Sequence, residues 1–457
     1  MASVAPAREA AYQALRAVSS NRVDLPEALA RQRLRLEDER DRSLTAEIVT
    51  GTLRWLASLD AVIEAFAARP VAKLDAEVLD VLRLGAYQLL HLDRIPPSAV
   101  VHDAVELARR HKKQSASGFV NALLRRVDRE RSRLPLPARP AAPAMEAAAA
   151  VDYLAVTLSH PRWLMERWLS RVGFEAAEAW ARFDNESAAL TLRANTLKTS
   201  AADLQQALAG RGVECERTRF APDGLVVRRG NPLRTTLAAS GLFVVQDEAS
   251  QLVALALDAA PGERVFDACA APGGKTVAMA GDMGGDGLLV ASDLRPRRLR
   301  LLREAVRASG AANVRMARVD SAGPLPFGPV FDAVLLDAPC SGLGTIRRDP
   351  EIRWRRTADD LPRMAATQDR MLDRVSRVVR PGGRLVYATC SSEPEENEDR
   401  VGAFLASHPE FFLRHAAEGG PRTAALRPIV NASGFLRTWP FEHRLEAFFA
   451  AVLVRRS

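Results

Sequence analysis

The sequence predicts a multidomain chain in three parts: an all-α bundle, a small α+β segment and a doubly wound α/β domain. Three observations predict it. Through residues 5–130, apolar residues recur at three-to-four spacing with no strand signal between them. Between Arg133 and Ala150, the run RLPLPARPAAPAMEAAAA is rich in proline and alanine and poor in bulky side chains, as an extended linker would be. From Pro261 onward, apolar strands alternate with helical stretches, the pattern of a parallel sheet.

The bundle, 1–132, is expected to place helices over AREAAYQALRAV, DRSLTAEIVTGTLRWLASLDAVIEAF, DAEVLDVLRLGAYQLLHL, SAVVHDAVELARRH and SGFVNALLRRV. Ile95-Pro96-Pro97-Ser98 ends one helix and offers a serine cap to the next, because proline breaks the backbone ladder and a hydroxyl accepts an unpaired amide. The linker occupies 133–150. The α+β segment, 151–245, opens with helical SHPRWLMERWLSRVG and continues through LTLRANTLK, a helix DLQQALAGRG, and strands near GLVVRR and GLFVVQD. In the α/β domain, 246–457, the strands are RVFDACA, GLLVASD, NVRMARVD, FDAVLLDAP and GRLVYATC.

Composition bounds the function. The 457 residues are 47% apolar and 26% charged, proportions of a folded globular protein rather than a disordered chain. No apolar run approaches the ~20 residues of a membrane helix, and MASVAPAREAAYQALRAV lacks the apolar centre of a secretory signal. A cytoplasmic location without membrane contact is expected. Cys215, Cys269, Cys340 and Cys390 show no CxxC spacing, and the histidines are dispersed, so free thiols and no metal are expected. Lys and Arg number 64 against 56 Asp and Glu, a net charge of +8 that favours a polyanionic partner such as nucleic acid.

The first α/β strand runs into Asp267-Ala268-Cys269-Ala270-Ala271-Pro272-Gly273-Gly274-Lys275-Thr276. Glycines at a strand-to-helix turn let a nucleotide-like ligand approach the backbone and the helix N-terminus. A phosphate-cradling loop of the GxxxxGK[ST] kind needs glycine where Cys269 stands, so the phosphate-cradle reading fails despite the Gly-Lys-Thr, and an ATPase is not expected. A glycine turn alone also fits an ordinary connection. Four acids at successive strand ends, Asp267, Asp293, Asp320 and Asp337, do not, because the carboxyl ends of parallel strands share one ligand crevice.

Two further strands end in Asp337-Ala338-Pro339-Cys340-Ser341-Gly342 and Thr389-Cys390-Ser391. With the usual strand order 3-2-1-4-5, strands 4 and 5 are neighbours and both thiols reach the crevice. A lone cysteine is commonly a small buried hydrophobe; a pair at equivalent strand ends points to chemistry. Cys269 lies inside the turn and reads as structural, and Cys215 falls outside the sheet domain.

DACAAPGGKT, DAPCSG and TCS, with Arg193-Ala194-Asn195-Thr196-Leu197-Lys198 and Gln246-Asp247-Glu248-Ala249-Ser250, resemble the RNA 5-methylcytosine methyltransferases of the NOL1/NOP2/Sun type over about 151–457. The N-terminal segment, notably Gly118-Phe119-Val120-Asn121-Ala122-Leu123-Leu124-Arg125-Arg126, resembles the NusB-type RNA-binding domain. The resemblance implies a Rossmann-like domain using S-adenosyl-L-methionine, held by Ala270, Ala271, Pro272, Gly273, Gly274 and Lys275, with Asp293 on its ribose and Asp320 near its adenine. It implies Cys390 as nucleophile, Cys340 assisting loss of the carbon 5 proton and product release, and Asp337 on the cytosine edge. Likeness to DNA cytosine methyltransferases would instead make Cys340 the nucleophile; the presence of both thiols favours Cys390. The implied partner is small-subunit ribosomal RNA, met by a monomer. Rival readings are the same chemistry on transfer RNA or another ribosomal cytosine, and a noncatalytic RNA-binding or antitermination factor. Methylation of an exocyclic amine would need an Asn/Asp-Pro-Pro-aromatic strand end, which Asp337-Ala338-Pro339-Cys340 is not.

Two arginine clusters suggest phosphate contact: Arg295, Arg297, Arg298, Arg300, Arg303 and Arg307, and Arg347, Arg348, Arg353, Arg355 and Arg356. In the second, Asp349-Pro350-Glu351-Ile352-Arg353-Trp354 resembles the family's loop, where Trp354 either stacks a base or is buried. His160 fits a family motif and reads as structural. The family commonly has Asp-Gly before paired aromatics near its C-terminus; this chain has Leu445-Glu446-Ala447-Phe448-Phe449, and EAFFAAVLV is expected to remain a core strand.

Overall fold

The computed structural model describes residues 4–457, which fall into two units: one runs to Glu186 and takes in Ile346–Arg356, the other comprises Ser187–Thr345 and Thr357–Ser457.

In the first unit the apolar periodicity becomes seven α-helices, Pro6–Ser19, Leu25–Arg33, Glu39–Arg54, Leu56–Ala67, Ala76–His91, Pro97–Arg110 and Ser117–Glu130. Their inward faces bury Leu15, Ile48, Leu59, Ile63 and Leu82 completely. The long stretch expected over DRSLTAEIVTGTLRWLASLDAVIEAF is two helices, because Trp55 leaves helical geometry (φ −102°, ψ 17°). The expected Ser98 cap is not formed. Pro96 occupies the cap position and Pro97 begins the helix, where a missing N–H costs nothing. The expected extended linker is not one: residues 141–145 turn, Ala147–Asp152 is helical, and the stretch is held inside this unit, with Leu134 and Leu136 packed on the helical core and Thr157 Oγ1 donating to Pro137 O at 2.6 Å.

Two further helices, Arg162–Val172 and Phe174–Asp184, stack Trp168 on Trp180 at 3.7 Å. Beside them lies a polar cluster that corrects the reading of Arg353 in the second arginine group. Arg353 is fully buried, and its guanidinium donates to Ser159 O (2.7 Å), Asn185 Oδ1 (3.0 Å), Asp184 O (3.2 Å) and Arg54 O (3.3 Å). A guanidinium spent on protein acceptors cannot meet a phosphate. Trp354 donates Nε1–H to Leu53 O at 2.6 Å, Arg355 donates to Val23 O, and Glu351 accepts from Leu25 N. Residues 346–356 are therefore an internal strap of this unit. His160 is buried, with Nδ1 2.7 Å from Leu158 O, in the structural role expected.

Burial pushes the Asp184 carboxyl from 3.8 up to about 7, against the pull of Arg353, Arg347 and Arg54. Because the folded chain binds this proton more tightly than the unfolded chain, the associated stability is complete below pH ~4 and is lost as pH rises through about 7. Asp184→Asn removes the titration. Its urea midpoint is expected to fall less between pH 5 and 7.5 than that of the wild type.

The second unit holds two sheets. The smaller has strands β1 (Thr191–Ala194), β2 (Glu214–Arg217), β3 (Gly224–Arg229) and β4 (Phe243–Val245) in the antiparallel order β2-β3-β1-β4. The larger contains β5 (Arg264–Asp267), β6 (Leu288–Ser292), β7 (Val314–Ala317), β8 (Phe331–Asp337), β9 (Val379–Thr389), β10 (Phe411–Arg414), β11 (Leu436–Arg437) and β12 (Phe449–Arg455). Its order is β10-β12-β9-β8-β5-β6-β7, with β11 paired to β12. β5 through β9 are parallel, β5 lies between β6 and β8, and β8 adjoins β9, as the expected 3-2-1-4-5 order requires. β12 is antiparallel to β9 and buries Phe449 through Leu453, so the altered C-terminal motif keeps its core strand.

Candidate active site

All five parallel strands deliver their carboxyl ends to one side, and a cavity of about 380 Å³ opens there. Its walls include Asp293 after β6, Asp320 after β7, Asp337 as the last residue of β8, Cys340 after β8, and Cys390 after β9. The two sulfurs are 3.3 Å apart. Strand neighbourhood brings these thiols together across fifty residues of sequence.

The Cys340 thiol is raised well above its ordinary value, first by its hydrogen bond with Cys390 and then by burial. Lys275 Nζ donates to Asp337 Oδ2 at 2.7 Å. Burial alone would push Lys275 down, but the charge and hydrogen bond of Asp337 outweigh it and leave the ammonium above its usual range. This ion pair has no signal in the sequence, where Lys275 reads only as part of the glycine turn. Asp267 does not line the cavity. It is buried beneath the turn, accepts from Thr276 Oγ1 at 2.7 Å, and is pushed up to about 7 by burial.

The cavity is lined from the turn by Cys269; Ala270 through Lys275 contribute no lining side chain. Gly273 has φ +113°, and a Cβ there would lie 3.0 Å from Leu302 and Ala305 of the helix Pro296–Ser309. That helix also supplies Arg298, which pairs with Asp293 at 3.3 Å and donates to Ala271 O, so this member of the first arginine cluster belongs to the cavity wall. Arg297, Arg300, Arg303 and Arg307 are exposed. Burial raises the Cys269 thiol, in keeping with a structural role, and Cys215 is half-buried on β2. Among the described residues no cluster of three or more His, Cys, Asp or Glu is arranged to hold a metal, and no helix is long and apolar enough to cross a membrane.

The loops carrying the thiols are fixed by backbone contacts. Gly344 N donates to Cys390 O at 2.9 Å, and Gly344 O accepts from Ala447 N at 3.0 Å. A Cβ on Gly344 would lie 1.9 Å from Ala447 O. Gly344→Ala is expected to lower the urea midpoint of this unit by the equivalent of about 3 kcal/mol, the upper end of ordinary overpacking costs. The Leu445-Glu446-Ala447 departure is absorbed because the contacts here are main-chain: Thr438 Oγ1 donates to Glu446 O and accepts from Phe448 N.

Comparison with known proteins places this geometry. The ribosomal RNA small subunit methyltransferase B of Pseudomonas putida is 38% identical, over 93% of this chain and 95% of that protein. The protein of the same name from Vibrio cholerae is 33% identical over 98% of this chain and 97% of its own length. The family model for 16S rRNA methyltransferase RsmB/F matches residues 254–454. The chain belongs to the RsmB/F family. Around the methyltransferase region of this RsmB/F-family chain, the NusB family model matches residues 5–129 and the ferredoxin-like domain of RsmF/B-type methyltransferases matches 160–234. The fold is thus a helical NusB domain, a ferredoxin-like α+β domain and a Rossmann-like methyltransferase domain. A crystal structure of a methyltransferase homolog from Pyrococcus horikoshii aligns with TM-score 0.57 at 31% identity, covering 67% of this chain and 99% of its own. The crystal structure of PH0851 aligns with TM-score 0.79 at 27% identity over 99% of both chains.

Family membership implies a cofactor of the S-adenosylmethionine type, and the residues present fit one. The cavity has the size of a small-ligand site. Asp293 and Asp320, following the neighbouring strands β6 and β7, place hydrogen-bond acceptors on its wall.

Proposed function

We propose that this chain methylates carbon 5 of a specific cytosine in small-subunit (16S) ribosomal RNA through a covalent bond between the protein and the RNA. The observation that carries the reading is the Cys340–Cys390 approach of 3.3 Å on the wall of a cavity that also holds Asp293, Asp320 and Asp337. The names of the family and its relatives support ribosomal RNA as substrate.

The chemistry follows from the ring. Carbon 5 of cytosine is a poor nucleophile until a thiolate adds to carbon 6, which makes carbon 5 enamine-like. S-adenosyl-L-methionine, when bound, supplies an electrophilic methyl group. In this reading Cys390 Sγ bonds to carbon 6, while Asp337, anchored by Lys275, holds the protonated ring nitrogen. After methylation the carbon 5 hydrogen leaves as a proton to Cys340 in its thiolate form, its bonding pair restores the carbon 5–carbon 6 double bond, and the carbon 6–sulfur electron pair returns to Cys390. Cys340 sits 3.3 Å from that sulfur and assists the elimination. In this reading the cofactor is held by Asp293 and Asp320 and by the main chain of the Ala270–Lys275 turn, which contributes no side chain to the cavity. The helical domain at 1–132 and the adaptor at 151–245 bind the RNA, and 246–457 carries the chemistry. A base must be unpaired or turned out of its stack to reach such a site.

Bisulfite sequencing of RNA from a strain lacking the gene tests this directly. One cytosine in 16S ribosomal RNA is expected to lose protection and to regain it when the wild-type gene is restored. Loss confined to a transfer RNA would keep the chemistry and move the substrate, and no loss in any RNA would remove the function.

A further inference from the structure

Downstream of Cys390 runs Glu393-Pro394-Glu395-Glu396-Asn397, which in sequence looks like a solvent-facing acidic turn. Glu396 is instead fully buried. Its carboxylate accepts from Ser341 N (2.8 Å), Ser341 Oγ (2.5 Å), Ser391 Oγ (2.5 Å) and Gln368 Nε2 (3.0 Å). Ser341 and Ser391 are the residues that immediately follow Cys340 and Cys390, and their hydroxyls lie 3.1 Å apart. The same glutamine nitrogen also donates to Pro339 O, immediately before Cys340, at 3.0 Å. Tyr387 OH donates to Glu396 O at 2.6 Å, so the acceptor is itself tied to β9. Next to it, Asn397 Nδ2 donates to Ser391 O at 3.0 Å and Asn397 Oδ1 accepts from Thr389 Oγ1.

We propose that Glu396 is a positioning residue whose carboxylate clamps the Pro339–Ser341 and Cys390–Ser391 segments together and so sets the spacing of the two thiols. The inference deepens the thiol chemistry proposed above and rests on it. A carboxylate only accepts hydrogen bonds, and all four partners are donors aimed at its two oxygens. Charge-assisted bonds of this kind are roughly twice as strong as neutral ones. Each thiol-bearing loop is thereby held at the residue after its cysteine, through the Ser341 N–H and hydroxyl on one side and the Ser391 hydroxyl on the other. A thiol that must first add to a ring carbon and then leave, next to a second thiol, has little tolerance for displacement: an error near 1 Å can cost about 10²-fold in rate.

Glu396→Gln keeps the size but replaces one acceptor oxygen with a donor, which then faces an N–H or a hydroxyl. In the full chain with RNA and methyl donor, the variant is expected to lose about 10²-fold in kcat, with KM for RNA changed by no more than about threefold. A second readout is independent of methylation: oxidation by diamide to a Cys340–Cys390 disulfide, followed by peptide mass mapping, is expected to be about tenfold slower in the variant, the scale of a modest loss of proximity. Combining Glu396→Gln with Ser391→Ala should cost no more than the larger single change, since both break one network. A folded Glu396→Gln chain with wild-type disulfide kinetics overturns the clamp, whatever its kcat. If that variant does not fold, Ser391→Ala alone carries the test, and wild-type kcat and disulfide rate there overturn the proposal equally. Should the wild type methylate no cytosine, the proposed function fails, while the disulfide arm still decides the clamp.

Discussion

A Cys390→Ser chain restored to a strain lacking the wild-type gene leaves the target cytosine unprotected in bisulfite sequencing, and in vitro its turnover falls by about 10⁴-fold or more, the scale on which removal of a covalent nucleophile acts. The reason is local. A serine hydroxyl in this position has no general base among its partners, whereas a thiolate needs none and is intrinsically more nucleophilic. Cys340 lies 3.3 Å away, and its thiol is held well above the ordinary range by its hydrogen bond with Cys390 and by burial. Because Asp293, Asp320 and the Lys275–Asp337 pair are untouched, binding of the methyl donor is expected to persist in the variant. Normal turnover by Cys390→Ser would transfer the nucleophile to Cys340 or abolish the covalent route.

Cys340→Ala has the opposite signature. Adduct formation requires only Cys390, so the variant is expected to accumulate a protein–RNA species that survives denaturation and migrates as a shifted band, while product release slows by about 10²-fold, within the range for loss of a proton-transfer group. The distinction is stringent, since a merely damaged site gives neither product nor adduct. Full activity with no trapped species would remove Cys340 from the mechanism.

Much of this architecture was legible because its signals are local. The strands β5 through β9 read as apolar runs ending in acids or thiols, and their topology follows from the crossover rule for parallel sheets. β2 and β10 were not legible. Glu214–Arg217 is a largely exposed edge strand of the small sheet whose side chains carry no apolar alternation, and Phe411–Arg414 at one edge of the large sheet is short and half-exposed. The site divides the same way. Cys340, Cys390, Asp293, Asp320 and Asp337 stand at strand ends and converge on the cavity as expected, because strand ends are predictable from pattern. Lys275, Glu396 and Arg353 are charged residues with partners tens to hundreds of residues away, such as Asp337, Ser341 and Ser159, and nothing in composition distinguishes a buried charge with many hydrogen bonds from a solvated one. Arg353 is the clearest case: an arginine-rich run suggested a phosphate contact, and the structure spends its guanidinium on carbonyl oxygens.

The measurement that bears most directly on the paired-thiol chemistry is the identity of the sulfur bonded to RNA. A 16S ribosomal RNA fragment containing the target cytosine, incubated with the Cys340→Ala chain and methyl donor, is denatured, digested with nuclease and protease, and mapped by mass spectrometry. A methylated cytidine remnant on the peptide containing Cys390 is the predicted result. No remnant on that peptide, together with a remnant at Cys340 when Cys390→Ala is treated in the same way, would contradict it.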